Sequence, residues 1–289
     1  MKVIFSIAIF LFIGSPMIKA QFNAKDSLVF EAYEDSINIF SDSLFNSPIE
    51  KTRKLASYSI IKLLKTALLK DNSYYYDFPN VKAISIVKTD DDAFRIFTWQ
   101  LILDNNTYKY FGALQLRSKT LSLIPLIDNS AMLDNDKLPT MITGNDNWIG
   151  ALYYDIKKVK EGKDVYYTVF GYDGNNALST KKIIDVITFE EGDKIKFGAP
   201  IFHLPDGKTA ARYIMEYKKG VSTSARFSAE YNKIVIDHLI PEQEGSEGLY
   251  YTYVPDGSYD GFEWKKGKWQ YIDKLFDFKL EDGEFPTGH

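Results

Sequence analysis

Between Asp256 and Trp269 the chain gathers Asp256, Tyr259, Asp260, Glu263, Trp264 and Trp269 around glycine-containing turns. Carboxylates beside aromatic rings are the ingredients of sugar recognition, because rings cover the apolar faces of a sugar and carboxylates bond its hydroxyls. Two carboxylates about 5–10 Å apart would also suffice for glycoside hydrolysis. Asp256, Asp260 and Glu263 are therefore the candidate catalytic acids, and Tyr259, Trp264 and Trp269 the candidate ligand-binding rings. The same stretch also reads as a hairpin turning at Lys266-Gly267, with the two tryptophans holding it shut. This structural reading is preferred.

Histidine is scarce: His203, His238 and His289. His238 follows Asp237 near the end of the apolar run from Ile234 and joins the candidates as a possible general base. Neighbours on a strand project to opposite faces, so Asp237 is badly placed to orient it and a remote acid would have to serve. Gly245-Ser246-Glu247-Gly248 lacks the spacing of a nucleophile elbow. Lys208-Thr209 resembles the end of a P-loop, but Phe202 stands where the leading glycine is needed. No local spacing brings His203 and His238 to one metal ion, and the Asp- and Asn-rich turns, such as 90–92 and 256–260, do not fit an EF-hand loop. No metal site and no cofactor is expected.

The elements that must position these groups show in the periodicity. Leu28, Ala32, Ser36, Phe40 and Leu44, with Val29, Tyr33 and Ile37 beside them, predict an amphipathic helix over 26–45 with Glu31, Glu34, Asp35 and Asp42 mostly on its wet face. A second helix is predicted from Ser47 as N-cap, Pro48 at the first position and Glu50 completing a capping box, running to Asp71-Asn72. From Val81 the period becomes two. One hairpin is expected around Asp104-Asn105-Asn106, and another running from 211 to 231 with its turn at Lys218-Lys219-Gly220. The opposite face of that second pair, Arg212, Glu216, Arg226 and Glu230, reads as charged and wet, as does Arg95. Outward charges of this kind, and helices placed first, argue against a membrane barrel. The expected class is α+β but mostly β: a short N-terminal helical hairpin (21–76) packed on an antiparallel β-rich domain (77–289), as meander, sandwich or partly closed barrel.

Residues 1–20 are expected to be a signal peptide. Lys2 precedes an apolar run from Val3 to Ile13, which is too short for the roughly 20 residues of a membrane span, and Ala20 offers a cleavage site. No integral span is expected after cleavage, and the location is periplasmic or secreted. Loss of Lys2 and Lys19 moves the formal charge from −4 to −6, 33 basic against 39 acidic side chains. An acidic chain without a basic block gains nothing from counterion release, so nucleic acid is not an expected partner. The absence of cysteine removes thiol catalysis, disulfides and lipid anchoring through an N-terminal cysteine. Aromatic residues make up 15% of the chain, which fits a pleated, half-buried core.

Ile234-Val235-Ile236-Asp237-His238-Leu239, Tyr250-Tyr251-Thr252-Tyr253, Pro255 through Trp264 and Lys266-Gly267-Lys268-Trp269 together make a distinctive C-terminal third. With Arg95-Ile96-Phe97-Thr98-Trp99 and Tyr110-Phe111-Gly112, they resemble uncharacterised exported proteins of Bacteroidota-type bacteria. The resemblance implies an exported, β-rich protein and carries no activity, ligand or catalytic residue. Few histidines, no cysteine and no recognisable nucleophile favour a non-catalytic envelope module that binds a glycan, a peptide or an envelope protein. The alternative is a carboxylate-dependent hydrolase acting on a glycan.

Overall fold

A computed structural model describes residues 24–276 of the chain. The expected signal peptide at 1–20, and His289, lie outside the described residues. Helices α1 (Ala24–Asn46) and α2 (Glu50–Leu68) form the N-terminal hairpin. In chain order there follow strands β1 (Ser85–Lys88), β2 (Phe94–Ile102), β3 (Tyr108–Leu116), β4 (Leu123–Ile127), β5 (Thr143–Gly144), β6 (Leu152–Glu161), β7 (Asp164–Asp173) and β8 (Ser179–Glu190). The remaining strands are β9 (Lys194–Phe197), β10 (Phe202–His203), β11 (Thr209–Ala210), β12 (Tyr213–Lys218), β13 (Ala225–Ser228), β14 (Lys233–Pro241), β15 (Tyr253–Lys265) and β16 (Lys268–Ile272). The protein is mostly β with a helical hairpin in front, and no sheet closes into a barrel among the described residues.

Three sheets stack in series. The first is the meander β1-β2-β3-β4, whose central hairpin pairs Trp99 with Phe111 around the expected 104–106 turn. The helices cover one face of it, through Phe30, Ile37, Ile60 and Leu64 against Phe97, Trp99 and Leu101. Its other face, through Phe94, Ile96 and Leu114, packs on Tyr153, Val169, Ile183 and Ile187 of the second sheet, β5-β9-β8-β7-β6 with β12 added to β8. Alternate residues of the second sheet, among them Phe170, Ile184 and Val186, pack on Ile234, Ile236, Phe262 and Trp269 of the third, β11-β10-β16-β15-β14-β13. All pairings within these sheets are antiparallel except β10 on β16. Burial of the second sheet on both faces shows in neighbouring residues such as Val169 and Phe170, or Ile183 and Ile184, which are all buried although they project to opposite faces.

Four expectations need correction. Glu34, assigned to the wet face of α1, is fully buried and accepts hydrogen bonds from Tyr76 (3.0 Å) and from the backbone and side-chain nitrogens of Asn80 (3.0 and 2.8 Å). The segment after α2 folds back over the helix and supplies those donors, so the buried stripe is Phe30, Ile37 and Leu44, while Leu28 is exposed. The capping box does not form, because Ile49 occupies the N-cap and Glu50 reaches Lys54 and the backbone nitrogen of Asp104 instead. The pair expected around 218–220 is not a hairpin: β12 joins β8 and β13 joins β14, so the chain changes sheet at that turn.

Arg95 and Arg212 are interior residues, not outer-face charges. Arg212 bonds Asp185 at 3.0 Å and the carbonyls of Leu138, Met141 and Phe197, so each of its nitrogens has a partner. Arg95 bonds Gln115 and the carbonyls of Ser73 and Tyr76. A buried guanidinium persists only when its donors are satisfied in this way. No helix among the described residues is long and apolar enough to cross a membrane.

Candidate functional site

The C-terminal strands assemble one polar cluster around His238. On β14 and β15 the register runs normally from Lys233–Glu263 to Asp237–Tyr259, then resumes at Leu239–Pro255. A single residue, His238, therefore faces Asp256, Gly257 and Ser258. Such bulges re-aim side chains and are common beside functional sites. Gly257 takes a φ of +89°, which a residue with a Cβ rarely adopts. The Asp256 carboxylate closes the bulge by accepting bonds from the nitrogen (2.8 Å) and hydroxyl (2.7 Å) of Ser258.

The remote acid that His238 requires is Asp260. Its Oδ2 lies 2.7 Å from His238 Nδ1 and also accepts a bond from the Tyr271 hydroxyl, while its Oδ1 accepts from the Lys274 nitrogen at 3.1 Å. The sheet imposes this meeting. Tyr271 pairs with Phe262, one side chain along from Asp260 on the same face, and Gly261 pairs with Ile272, which carries Asp273 alongside Asp260. Gly261 is required at that crossing, because a Cβ would stand 2.4 Å from the Ile234 carbonyl oxygen and 3.0 Å from the Leu275 side chain. Asp260 is buried and His238 half-buried, so the pair links the interior to solvent.

Electrostatics favour the charged imidazole. Partial burial opposes protonation of His238, but the Asp260 hydrogen bond and the negative charges of Asp260, Asp256 and Asp273 outweigh it, and its pKa lies above the ordinary value. For Asp256, burial pushes upward but the Ser258 bonds and His238 prevail and hold its carboxyl below the usual range. Burial, reinforced by Asp260, pushes the Tyr213 hydroxyl up to about 12. Among the described residues His238 Nε2 has no partner, which leaves it available to a ligand or a water.

His238, Asp260 and Tyr271 line a cleft of about 190 Å³ between β14, β15 and the edge strand β12, with Tyr213, Tyr250 and Tyr253 around it. Tyr250 is 53% exposed, and its ring lies 5.2 Å from that of Tyr253. A cleft with an oriented imidazole at its base and phenol rings at its rim can bond hydroxyls and cover a flat apolar face.

Of the residues singled out in the sequence, His238, Asp256 and Asp260 come together here. Glu263 does not. It lies on the opposite face of β15 from Asp260, 2.6 Å from Lys265 and 4.0 Å from Lys233, and its carboxyl is held below the usual range chiefly by the Lys265 bond. Tyr259 shares that face and packs on Phe276. Trp264 is half-buried, bonded to the Lys160 carbonyl at 3.1 Å and packed on Tyr166. Trp269 is fully buried and bonded to Thr168 at 3.0 Å, so it touches no ligand in this conformation. His203 is exposed on β10 and stands apart from this cluster.

His238, Asp260 and Asp273 each bring one possible metal-ligating atom within 4.8 Å of the others. Asp260 uses both oxygens on internal bonds, which leaves His238 and Asp273, fewer than the three protein ligands of a catalytic zinc site. Sequence reading missed Tyr213, Tyr250, Tyr253 and Tyr271. In a chain with 20 tyrosines only the fold distinguishes those that converge. Comparison with protein-family models, with curated proteins and with solved structures finds no match to this chain.

Proposed function

We propose that this chain is an exported envelope protein whose β-rich body is a non-catalytic binding module, and that the cleft at His238 takes one ring of a glycan. The observation that carries this reading is the convergence of an exposed tyrosine ring, Tyr250, with an oriented imidazole, His238, on one cleft. Its volume of about 190 Å³ is below the roughly 300–1,000 Å³ of pockets that enclose whole drug-sized ligands. It suits one sugar unit held at the end or side of a longer chain. The leader-like segment at 1–20 supports the compartment.

Calorimetric titration with soluble envelope glycan fragments tests the reading. Tyr250→Ala and His238→Ala should each weaken binding by about tenfold, or ~1.4 kcal/mol, with the melting temperature unchanged within a few degrees. Absence of binding to any fragment, or wild-type affinity in both variants, would overturn it.

The hydrolase alternative needs a carboxylate pair; the pair beside His238 is Asp260 and Asp273, with oxygens within 4.8 Å of each other, although both Asp260 oxygens are already bonded. Release of reducing ends from the same fragments, abolished by Asp273→Asn, would establish it.

A further inference from the structure

A second cleft, of about 610 Å³, lies at the other end of the molecule between α2 and the helix-facing side of the first sheet. The volume falls within the roughly 300–1,000 Å³ range of small-molecule sites, and the lining differs in character from the His238 cleft. Ile61, Leu64 and Leu68 descend from α2, while Trp99, Phe111 and Leu123 rise from the sheet. α2 lies over β2 and leaves the β3–β4 side partly bare, so Phe111, Leu121 and Leu123 are only half-buried and Ile127 is 47% exposed.

The charged groups of the lining are Lys65, Lys109 and Asp128. Asp128 is buried and already accepts bonds from the Tyr110 nitrogen (2.8 Å) and from the nitrogen and hydroxyl of Ser130 (3.0 and 2.6 Å). Its carboxylate stands 4.0 Å from Lys109, whose ammonium bonds the Asp128 carbonyl oxygen at 2.6 Å. Lys65, exposed on α2, has no ion-pair partner among the described residues. The lining thus carries a net positive charge beside an apolar trough. That combination complements a ligand with a long hydrocarbon chain and an anionic head: burial of the methylenes holds the chain, and the lysines select the head by sign.

We propose that this cleft binds a long-chain fatty acid, its hydrocarbon chain along Leu64, Trp99, Phe111 and Leu123 and its carboxylate at Lys65 and Lys109. This site is independent of the His238 cleft and does not rest on the function proposed above. A neighbouring cleft of about 440 Å³ shares Lys109, Tyr110 and Asp128 with it, and adds polar groups from Asn105, Ser130 and Asn175. The Lys109 end of the trough therefore adjoins a mixed surface, which also carries Leu103, Leu138 and Ile149.

Trp99 is the built-in reporter. The full-length protein is titrated with a dibrominated stearate below its micelle concentration, and tryptophan emission is followed. Expected are saturable one-to-one quenching, its loss in Trp99→Phe, and its loss in Leu123→Glu, which places a charge in the trough. Lys65→Glu, a change on an exposed helix position, should weaken stearate by about fivefold and leave the affinity for stearyl alcohol unchanged. Circular dichroism confirms that each variant is folded, and Lys65→Glu keeps the test decisive if Leu123→Glu is not. No quenching, quenching that survives in Trp99→Phe, or equal weakening of acid and alcohol by Lys65→Glu would overturn the proposal. So would competition by a stearoyl lysophospholipid but not by stearate, which would assign the trough to membrane lipid, or quenching that tracks self-association, which would assign it to a second copy of the chain.

Discussion

Trp264 and Trp269 face each other across the closing hairpin with ring centroids 5.2 Å apart, yet only Trp264 reaches water. The two substitutions should therefore part company. Trp269→Ala opens a cavity in the core between the second and third sheets and should cost about 3–5 kcal/mol. Trp264→Ala should cost about half as much, because part of that ring is already solvated. Urea unfolding of both variants measures the difference.

The His238–Asp260 bond predicts an NMR titration. In the wild type the imidazole should titrate above its ordinary value of 6.5. Asp260→Asn removes the nearest negative charge and leaves at most a neutral acceptor for the imidazole, but keeps the burial, so the His238 pKa should fall. An unchanged value would show that Asp260 does not govern the imidazole.

The same shift has a consequence for stability against pH. A folded pKa raised above 6.5 means that the contribution of His238 is fully present below pH 6.5 and is lost as pH rises through the folded value. Asp256, lowered from 3.8, contributes above that value and loses its contribution as pH falls through the folded one. Denaturant midpoints of wild type and His238→Gln should therefore converge on going from about pH 5 to 9. A constant gap would contradict the linkage.

Arg212 and Asp185 are both wholly buried, and burial pushes the Asp185 carboxyl up. Removing one partner strands the other, so Arg212→Met or Asp185→Leu alone should cost about 3–5 kcal/mol. The combined Arg212→Met/Asp185→Leu protein should lose less than the two single losses added together, because no uncompensated charge remains. Thermal unfolding of the three variants checks this.

Periodicity made the local elements legible. The two helices, the 104–106 hairpin and the strand pair around Lys266-Gly267 are all visible because each is decided by neighbours within a few residues. Partnerships set by distant residues were not. β12 and β13 look like a hairpin because both alternate across a short turn, but the choice between each other and β8 or β14 rests on which core each apolar face enters. Glu34 reads as solvent-facing until Tyr76 and Asn80 fold over it. At the candidate site, strand geometry alone showed that Asp237 is badly placed to orient His238 and that any partner acid would have to be remote. That Asp260 is the acid depends on the pairing of Ile236 with Asp260, which sets Asp260 diagonally beside His238 on one face, and no local spacing reveals that register.

β10 lies parallel to β16, pairing Phe202 with Trp269 and so joining residues 67 positions apart. β16 is thus the bridge between the early β10–β11 pair and the β13–β15 block. During synthesis from the N-terminus, the first and second sheets have all their strands available while the third is still open. The His238 cleft, which needs Asp260 and Tyr271, comes into being only when this last strand docks. A ribosome-stalled or proteolysed chain ending before Lys268 would keep the residues of the trough at α2 and lack Tyr271 of the His238 cleft, so the binding proposed for the two places should be separable by length alone.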